Sequence, residues 1–229
     1  MRTFRNLKLV VFDFDGTIAD TMNIGLQIAN DLSAKYRYRK VSSEELINYR
    51  NLNTREALKR VGISYFKLPF IILDFRRELK KRIQLLEPVK GMVSVINQLH
   101  LRKCSVGIVT SNSIENVESF LNNASISSKF QFVQAQKSLF RKNTLLKSIL
   151  KNYNLRPLEV LYVGDETRDI EAARKCGIPI ASVCWGFNTK MVLKRHDPDY
   201  LIESPSGLLE LIIQELYYEF SNSSYLKRA

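Results

Sequence analysis

KLVVFDFDGT, residues 8–17, is an apolar run that ends in two aspartates, a glycine and a threonine. Its β-branched and aromatic residues favour a strand, and its Asp-Gly pair favours a turn directly after that strand. Four further runs have the same character, namely Cys104–Thr110, Gln131–Gln134, Val160–Val163 and Ile180–Cys184. Because these runs are continuously apolar rather than alternating, we expect parallel strands that are buried on both faces.

Helical patterns separate these strands. They cover Ser113–Leu121, Lys142–Lys151 and Arg168–Cys176, and a last one begins at Ser204-Pro205. Gly177, with Pro179 after it, is a usual stop for the third of these helices. Strands that alternate with helices predict an α/β fold, with a doubly wound, Rossmann-like parallel sheet as its core.

The strand signals stop between Asp20 and about Pro88. Four helical patterns fill this stretch, namely Thr21–Lys35, Ser42–Arg50, Thr54–Val61 and Phe66–Leu86. Ser42 and Glu45 have the spacing of a capping box at the start of the second pattern. We therefore predict an α/β core of residues 1–17 and 89–229 that carries an inserted α-helical cap domain of residues 18–88.

The composition limits the class of protein. A chain of 229 residues with 45% hydrophobic residues can bury a sizeable core, and no apolar run approaches the length of a membrane span. The first residues do not form a signal peptide, and Cys104, Cys176 and Cys184 lie in apolar segments, which predicts reduced thiols and a cytoplasmic protein. Thirty-five Lys and Arg against 23 Asp and Glu leave a charge of +12, which favours an anionic partner.

Asp13 and Asp15 stand at the carboxyl end of the first predicted strand. Open α/β sheets bind ligands at this edge, and alternation along a strand would point both side chains the same way. Gly16 allows a sharp turn and a close approach of the backbone to a ligand. Paired carboxylates here can hold a hard cation, attack an electrophile or transfer a proton. The alternative interpretation is a strand end that is simply rich in turn residues.

A second predicted strand also ends in acids. Asp165 follows Val160–Val163 and Gly164, and Asp169 comes one turn into the next helix. Two neighbouring strands that both end in carboxylates repel each other unless a cation or protons neutralise them. Four acids around one sheet edge predict a Mg²⁺ site, because Mg²⁺ prefers oxygen ligands. Asp169 can also cap its helix, but capping does not explain the pairing with Asp13.

Two weaker signals concern an anion. Thr110, Ser111 and Asn112 end the second predicted strand just before a helix, where hydroxyl and free backbone N–H groups can bind a phosphate. Such junctions are also common without any ligand. Lys142 opens a later helix and can face the anion, although a lone lysine is more often a solvated surface residue.

The order of these motifs resembles that of the haloacid dehalogenase-like phosphohydrolase superfamily. D-x-D-G-T at residues 13–17, Thr110, Lys142 and G-D-x-x-x-D at residues 164–169 follow one another as in that superfamily. The resemblance extends from Lys8 to about Ile202, and the inserted helices look like its helical cap of the first type. The stretch GDETRDIEAARKCG, residues 164–177, resembles the phosphoglycolate phosphatase-like subgroup.

The resemblance implies a role for each site residue. Asp13 would be the nucleophile that forms an aspartyl-phosphate, and Asp15 would be the general acid and base. Asp13, the backbone carbonyl of Asp15 and Asp165 would hold Mg²⁺, with Asp169 steadying the water shell of the metal. The phosphoryl group would be bound by Gly16, Thr110, Ser111, Asn112 and Lys142.

This chain departs from the family pattern at two positions. Lys142 precedes Asn143 where the subgroup often has proline, which keeps Lys137 as an alternative lysine. Glu166 stands where Ser or Thr is frequent, and it has no assigned role. The loop Cys184–Asn188 would lie near the rim of the site in the resembled family, with apolar packing at a strand end as the alternative.

These features predict a Mg²⁺-dependent phosphatase for small phosphate monoesters such as phosphoglycolate, nucleotides or sugar phosphates. A phosphomutase of the β-phosphoglucomutase type and a non-catalytic or nucleic-acid-end-binding member are the alternatives. The basic run Arg76–Arg82 has helical spacing and predicts a solvated face. Nucleic-acid binding would need aromatic residues among such charges, so the expected partner is a small phosphorylated metabolite. Nothing in the sequence indicates a membrane partner or an oligomeric state.

Overall fold

The central sheet contains six parallel strands in the order β3-β2-β1-β4-β5-β6. The computed structural model describes residues 2–136 and 138–225, with side chains up to residue 216. The strands are β1 (Leu9–Phe12), β2 (Ser105–Thr110), β3 (Phe132–Ala135), β4 (Val160–Gly164), β5 (Ile180–Val183) and β6 (Tyr200–Ile202). The chain therefore starts in the middle of the sheet, winds outward to β3 and then outward on the other side to β6, which confirms the doubly wound core.

The helices lie between the strands and in one long insertion. The inserted helices are α1 (Met22–Tyr36), α2 (Ser43–Arg50), α3 (Thr54–Val61) and α4 (Leu68–Arg82). The other helices are α5 (Met92–Leu101), α6 (Ile114–Asn123), α7 (Lys142–Asn152), α8 (Thr167–Arg174), α9 (Lys190–Arg195) and α10 (Pro205–Tyr225). None of the helices in the described ranges is long and apolar enough to cross a membrane.

The predicted elements agree with these bounds to within a few residues. The capping box of Ser42 and Glu45 is present at the start of α2, and Gly177 has a φ of 70° shortly after the end of α8. Helices α5 and α9 and strand β6 were not predicted from the sequence. Strand β6 is only three residues long and partly exposed, so it carries too little apolar pattern to be recognised.

Both faces of the sheet are covered by apolar side chains. Alternate residues of β1 point to opposite sides, so Val10 and Phe12 pack in one cluster while Leu9 and Val11 pack in another. All four are buried, as expected of a parallel strand at the centre of a sheet. Polar groups lie at the carboxyl ends of the strands, which we call the edge of the sheet.

The inserted helices leave and re-enter the core at one place. The backbone N–H of Asp20 donates to the carbonyl of Glu87 at 2.9 Å, and that of Val89 donates to the carbonyl of Ile18 at 2.8 Å. The two crossing segments therefore run side by side, directly after the Asp13–Thr17 turn. The boundaries at 17/18 and 88/89 stay a prediction.

Glu159, just before β4, gives a stability prediction. The backbone N–H of Arg156 donates to it at 2.7 Å and Lys8 Nζ lies 2.9 Å away, and these contacts lower its pKa to about 2. A lowered carboxyl pKa contributes stability above its usual value of 4.5, and that contribution is lost as the pH falls towards about 2. We expect Glu159→Gln to lower the free energy of unfolding by about 1–2 kcal/mol at pH 7.

Urea unfolding at several pH values tests this prediction. The difference between Glu159→Gln and the parent should shrink as the pH falls below 4.5. Glu118→Gln, at an exposed position on α6, is the matched control and should change stability by less than about 0.5 kcal/mol. A difference that stays constant from pH 7 to pH 3 would contradict the assigned pKa.

Candidate active site

The carboxyl ends of β1 and β4 bring two acidic segments together. These strands are parallel neighbours, with Phe12 opposite Val163. Asp13 follows Phe12, and its backbone N–H donates to the carbonyl of Val163 at 2.8 Å. Asp165 follows β4 in the same way. Because both strands end at the same edge, side chains that are 152 residues apart in the chain meet there.

Asp13, Asp165 and Asp169 form a buried acidic cluster. One carboxylate oxygen of each lies within 4.8 Å of the others. At most 1% of each residue is exposed. Burial raises the pKa of Asp13 to about 7, and burial together with the charges of Glu166 and Asp13 raises that of Asp165 well above its usual value. Three carboxylates so close together favour the binding of a cation.

Lys142 places a positive charge next to this cluster. It is the first residue of α7 and is 1% exposed. Its Nζ lies 2.5 Å from Oδ2 of Asp13 and 2.7 Å from Oδ1 of Asp169. Burial alone would lower its pKa, but Asp13 and Asp169 together raise it, so the ammonium stays charged. Lys142 is therefore not a solvated surface residue. The alternative Lys137 lies outside the described residues.

Hydrogen bonds fix the two other acids of the cluster. Asp165 accepts from the Thr17 hydroxyl at 2.9 Å and from the backbone N–H of Phe187 at 2.6 Å. Asp169 accepts from the Tyr162 hydroxyl at 3.0 Å. Charge-assisted hydrogen bonds of this kind hold carboxylates in a fixed orientation before any ligand arrives.

Asp15 lies apart from the cluster and is half-buried. The side-chain amide of Asn112 donates to its two oxygens at 3.1 and 3.3 Å. Burial raises its pKa, which favours the protonated form of a carboxyl group that can give and take a proton. Its side-chain oxygens do not belong to the cluster. The group of Asp15 that was expected to bind the metal is its backbone carbonyl, not its carboxylate.

The loop after β2 forms the other wall of the site. Thr110 is fully buried, and its hydroxyl accepts from the backbone N–H of Asn112 at 2.9 Å. Ser113 caps α6 directly after this loop. Ser111 and Asn112 line the space above the cluster, together with Gly16 and Asp15. The loop and the start of α6 thus present polar groups where the sequence predicted an anion site.

Two arginines that no sequence pattern indicated lie at this wall. Arg168 is partly buried beside Glu166, with which it pairs, and one of its amino groups donates to the Ser111 hydroxyl at 3.4 Å. Arg76 of α4 donates to the carbonyl of Ser111 and, at 2.9 Å, to that of Gln136. Arg76 therefore does not belong to the solvated face predicted for residues 76–82, although Arg77, Lys80 and Lys81 are exposed.

The cap contacts the core through hydrogen bonds that no sequence pattern indicated. The Thr54 hydroxyl donates to the carboxylate of Glu166 at 2.8 Å. Glu166, which had no assigned role from the sequence, therefore binds a residue of the cap. Arg50 donates to the carbonyls of Phe187 and Gly186 at 2.9 and 3.0 Å. These bonds join the end of α2 and the start of α3 to the loops that follow β4 and β5. The loop 184–188 therefore lies at the rim of the site, as the resemblance implied.

The residues of the cluster suit Mg²⁺. The donors are carboxylate oxygens, which this hard cation prefers. A Cβ atom added at Gly16 or Gly186 would lie 2.4 or 2.3 Å from Oδ2 of Asp165, so both positions require glycine to leave room around that oxygen. Gly16 also has a φ of 74°, which other residues rarely adopt.

Comparisons with known proteins identify relatives over most of this chain. Residues 10–183 match the family model described as haloacid dehalogenase-like hydrolase. The chain is 33% identical over 208 residues to a phosphoglycolate phosphatase of Synechococcus elongatus, which covers 91% of this chain and 98% of that relative. It is 22% identical to the pyrophosphatase PpaX of Bacillus thuringiensis, over 90% of this chain and 96% of that protein.

Solved structures share the fold. A haloacid dehalogenase-like family hydrolase from Streptococcus pneumoniae superposes with a TM-score of 0.75 at 19% identity, over 90% of this chain and 99% of that one. At this level of identity the likeness concerns the fold alone. It confirms a Rossmann-like core that carries a helical cap.

Proposed function

Because the chain belongs to the haloacid dehalogenase-like hydrolases, we propose that it is a Mg²⁺-dependent phosphatase that hydrolyses small phosphate monoesters through an aspartyl-phosphate on Asp13. The observation that carries this proposal is the buried cluster of Asp13, Asp165 and Asp169 with Lys142 between two of its members. A nucleophilic carboxylate can meet a phosphate dianion only where positive charge is concentrated. The cytoplasmic location expected from the sequence stays a prediction.

Asp13 attacks phosphorus in the first step. A bond forms between its carboxylate oxygen and phosphorus while the bond from phosphorus to the alcohol oxygen breaks. Asp15 gives its proton to the departing alkoxide, and its raised pKa favours the protonated form that this step needs. Lys142, 2.5 Å from Asp13, offsets the negative charge that gathers on the transferring group.

Water completes the reaction. Asp15, now ionised, takes a proton from water as that water attacks the phosphorus of the aspartyl-phosphate, which releases phosphate and restores Asp13. Asn112 holds the Asp15 carboxylate in place in both steps. Mg²⁺, held by Asp13, Asp165 and the backbone carbonyl of Asp15, would supply further positive charge to the phosphoryl oxygens.

The alcohol part of the substrate is chosen by the cap in this proposal. Phosphoglycolate is one candidate, because a relative that is 33% identical carries its name. Nucleotides and sugar phosphates are the other candidates that follow from the family.

Phosphate release from a panel of small monoesters, with Mg²⁺ or with EDTA, tests the proposal. We expect turnover with Mg²⁺ and a loss of at least about 100-fold in EDTA, because the buried cluster then lacks its cation. A phosphate group that moves to a second position of a sugar phosphate without release would instead favour the mutase alternative. The absence of any turnover across the panel would overturn the proposal.

Metal binding gives a separate prediction at Gly186. We expect saturating Mg²⁺ to raise the melting temperature of the parent protein by roughly 3–8 °C. In Gly186→Ala the new Cβ would meet Asp165 at 2.3 Å and displace it, which should weaken Mg²⁺ binding about 10- to 100-fold. Gly207→Ala is the control, because its Cβ would meet nothing closer than 3.5 Å.

Calorimetric titration with Mg²⁺ measures this effect directly. Equal affinities in Gly186→Ala and Gly207→Ala would contradict the assignment of Asp165 to the metal.

A further inference from the structure

A cavity of about 380 Å³ opens from the active site into the cap. Its core end is lined by Asp15, Ser111 and Asn112, and its far end lies between α1 and α4 on one side and α2 and α3 on the other. This volume falls within the range of pockets that enclose small organic ligands. A phosphate group with a two-carbon acid would occupy only the core end.

The far end of the cavity is apolar. Its wall includes Leu26, Leu58, Val61, Leu68, Ile72 and Phe75. Among the lining residues that come from the cap, only Asp20 and Arg76 are charged, and Arg76 lies at the core end on the carbonyl of Ser111. An apolar wall in contact with water is unfavourable, so this wall favours an apolar occupant.

Tyr49 is part of this wall. It is 4% exposed and lines the cavity, and the guanidinium of Arg60 lies over its ring, with 5.5 Å between the guanidinium carbon and the ring centroid. Its hydroxyl is enclosed by the protein, so it adds no polar contact for a ligand in the cavity.

We propose that the alcohol part of the substrate is an apolar group of several carbons. This inference rests on the proposed function, because the phosphate end must bind at the Asp13 cluster for the alcohol part to enter the cap cavity. A carboxylate-bearing or polyhydroxylated alcohol finds few partners along the cap wall. The cap therefore selects for apolar surface rather than for charge.

A series of primary alkyl phosphates tests this selection. Ethyl, butyl and hexyl phosphate share one leaving-group chemistry, so any difference in kcat/KM among them reports contacts of the alkyl chain with the protein. We expect kcat/KM to rise about fourfold for each added methylene, as for the transfer of that group into an apolar site. 2-Phosphoglycolate and ribose 5-phosphate are the charged and polyhydroxylated comparisons, and hexyl phosphate should exceed both.

Variants that fill the cavity should remove the dependence on chain length. Ala57→Leu on α3 and Ala29→Leu on the opposite wall both place a larger side chain in the cavity. Each should reduce kcat/KM for hexyl phosphate at least tenfold and leave ethyl phosphate within about twofold. Ala34→Leu, exposed on α1, is the matched control and should change neither.

The outcomes separate this inference from the proposed function. A flat or falling dependence on chain length, or a preference for 2-phosphoglycolate over hexyl phosphate, would overturn the inference and leave the phosphatase proposal standing. The absence of hydrolysis for every monoester would overturn both.

Discussion

Asp13→Asn should reduce phosphate release by at least about 10³-fold, because an amide cannot attack phosphorus. The same variant should keep the fold and gain stability. Burial raises the pKa of Asp13 to about 7 and the charge of Asp169 adds to this, against the opposing charge of Lys142, and the amide removes the unfavourable charge without changing the shape of the side chain. Phosphate assays and urea unfolding at pH 8 measure the two effects.

Asp20→Asn is the matched control for the nucleophile. Asp20 is exposed at the start of the cap and also lines the cavity, so its charge is near the site without touching the acidic cluster. We expect this variant to keep activity within about twofold. If Asp13→Asn retained more than a tenth of the parent activity while the fold was intact, Asp13 would not be the nucleophile.

Lys142→Met should cause the largest loss of stability among single substitutions in the site. The ammonium lies between Asp13 and Asp169, and all three residues are at most 1% exposed. Removal of one partner of a buried ion pair leaves uncompensated charge, which typically costs about 3–5 kcal/mol. Activity should also fall at least about 100-fold, because the charge next to the nucleophile is lost.

Lys147→Met on the exposed face of the same helix separates this effect from a change in helix propensity. It should change stability by less than about 0.5 kcal/mol. Mg²⁺ should recover part of the stability of Lys142→Met, since a cation at the cluster relieves the same repulsion. A loss below about 1 kcal/mol in Lys142→Met would mean that Asp13 and Asp169 accept protons instead of remaining charged.

The sequence predicts the acidic edge of the sheet well because short-range patterns encode it. Asp13 and Asp165 each follow an apolar run, and parallel strands end at the same edge, which places both residues at that edge. That they meet depends on β1 and β4 being neighbours, which no local pattern encodes. The same reasoning brings Asp169 near, since it lies one turn into the next helix. The burial of Lys142 was weaker as a prediction, because a single lysine carries no pattern of its own.

The contacts between cap and core could not be predicted in this way. Arg50 and Arg76 act through single side chains on carbonyl groups of distant loops, at Gly186 and Ser111. Helical periodicity assigns such charged residues to solvent, and that assignment is wrong for Arg76. Strand β6 and helix α9 were missed because short, partly exposed elements depend on their neighbours more than on their own residues.

The paired crossing segments at residues 18–20 and 87–89 make the chain modular. Their backbones are hydrogen-bonded to each other, so the ends of the intervening segment already lie together at the surface of the core. A segment whose ends lie close together can be replaced by another of different length at little cost in loop closure. Exchange of this one continuous stretch would therefore replace the cavity wall and the contacts of Arg50, Thr54 and Arg76 together, while Asp13, Lys142 and the other residues of the acidic cluster remain in the core.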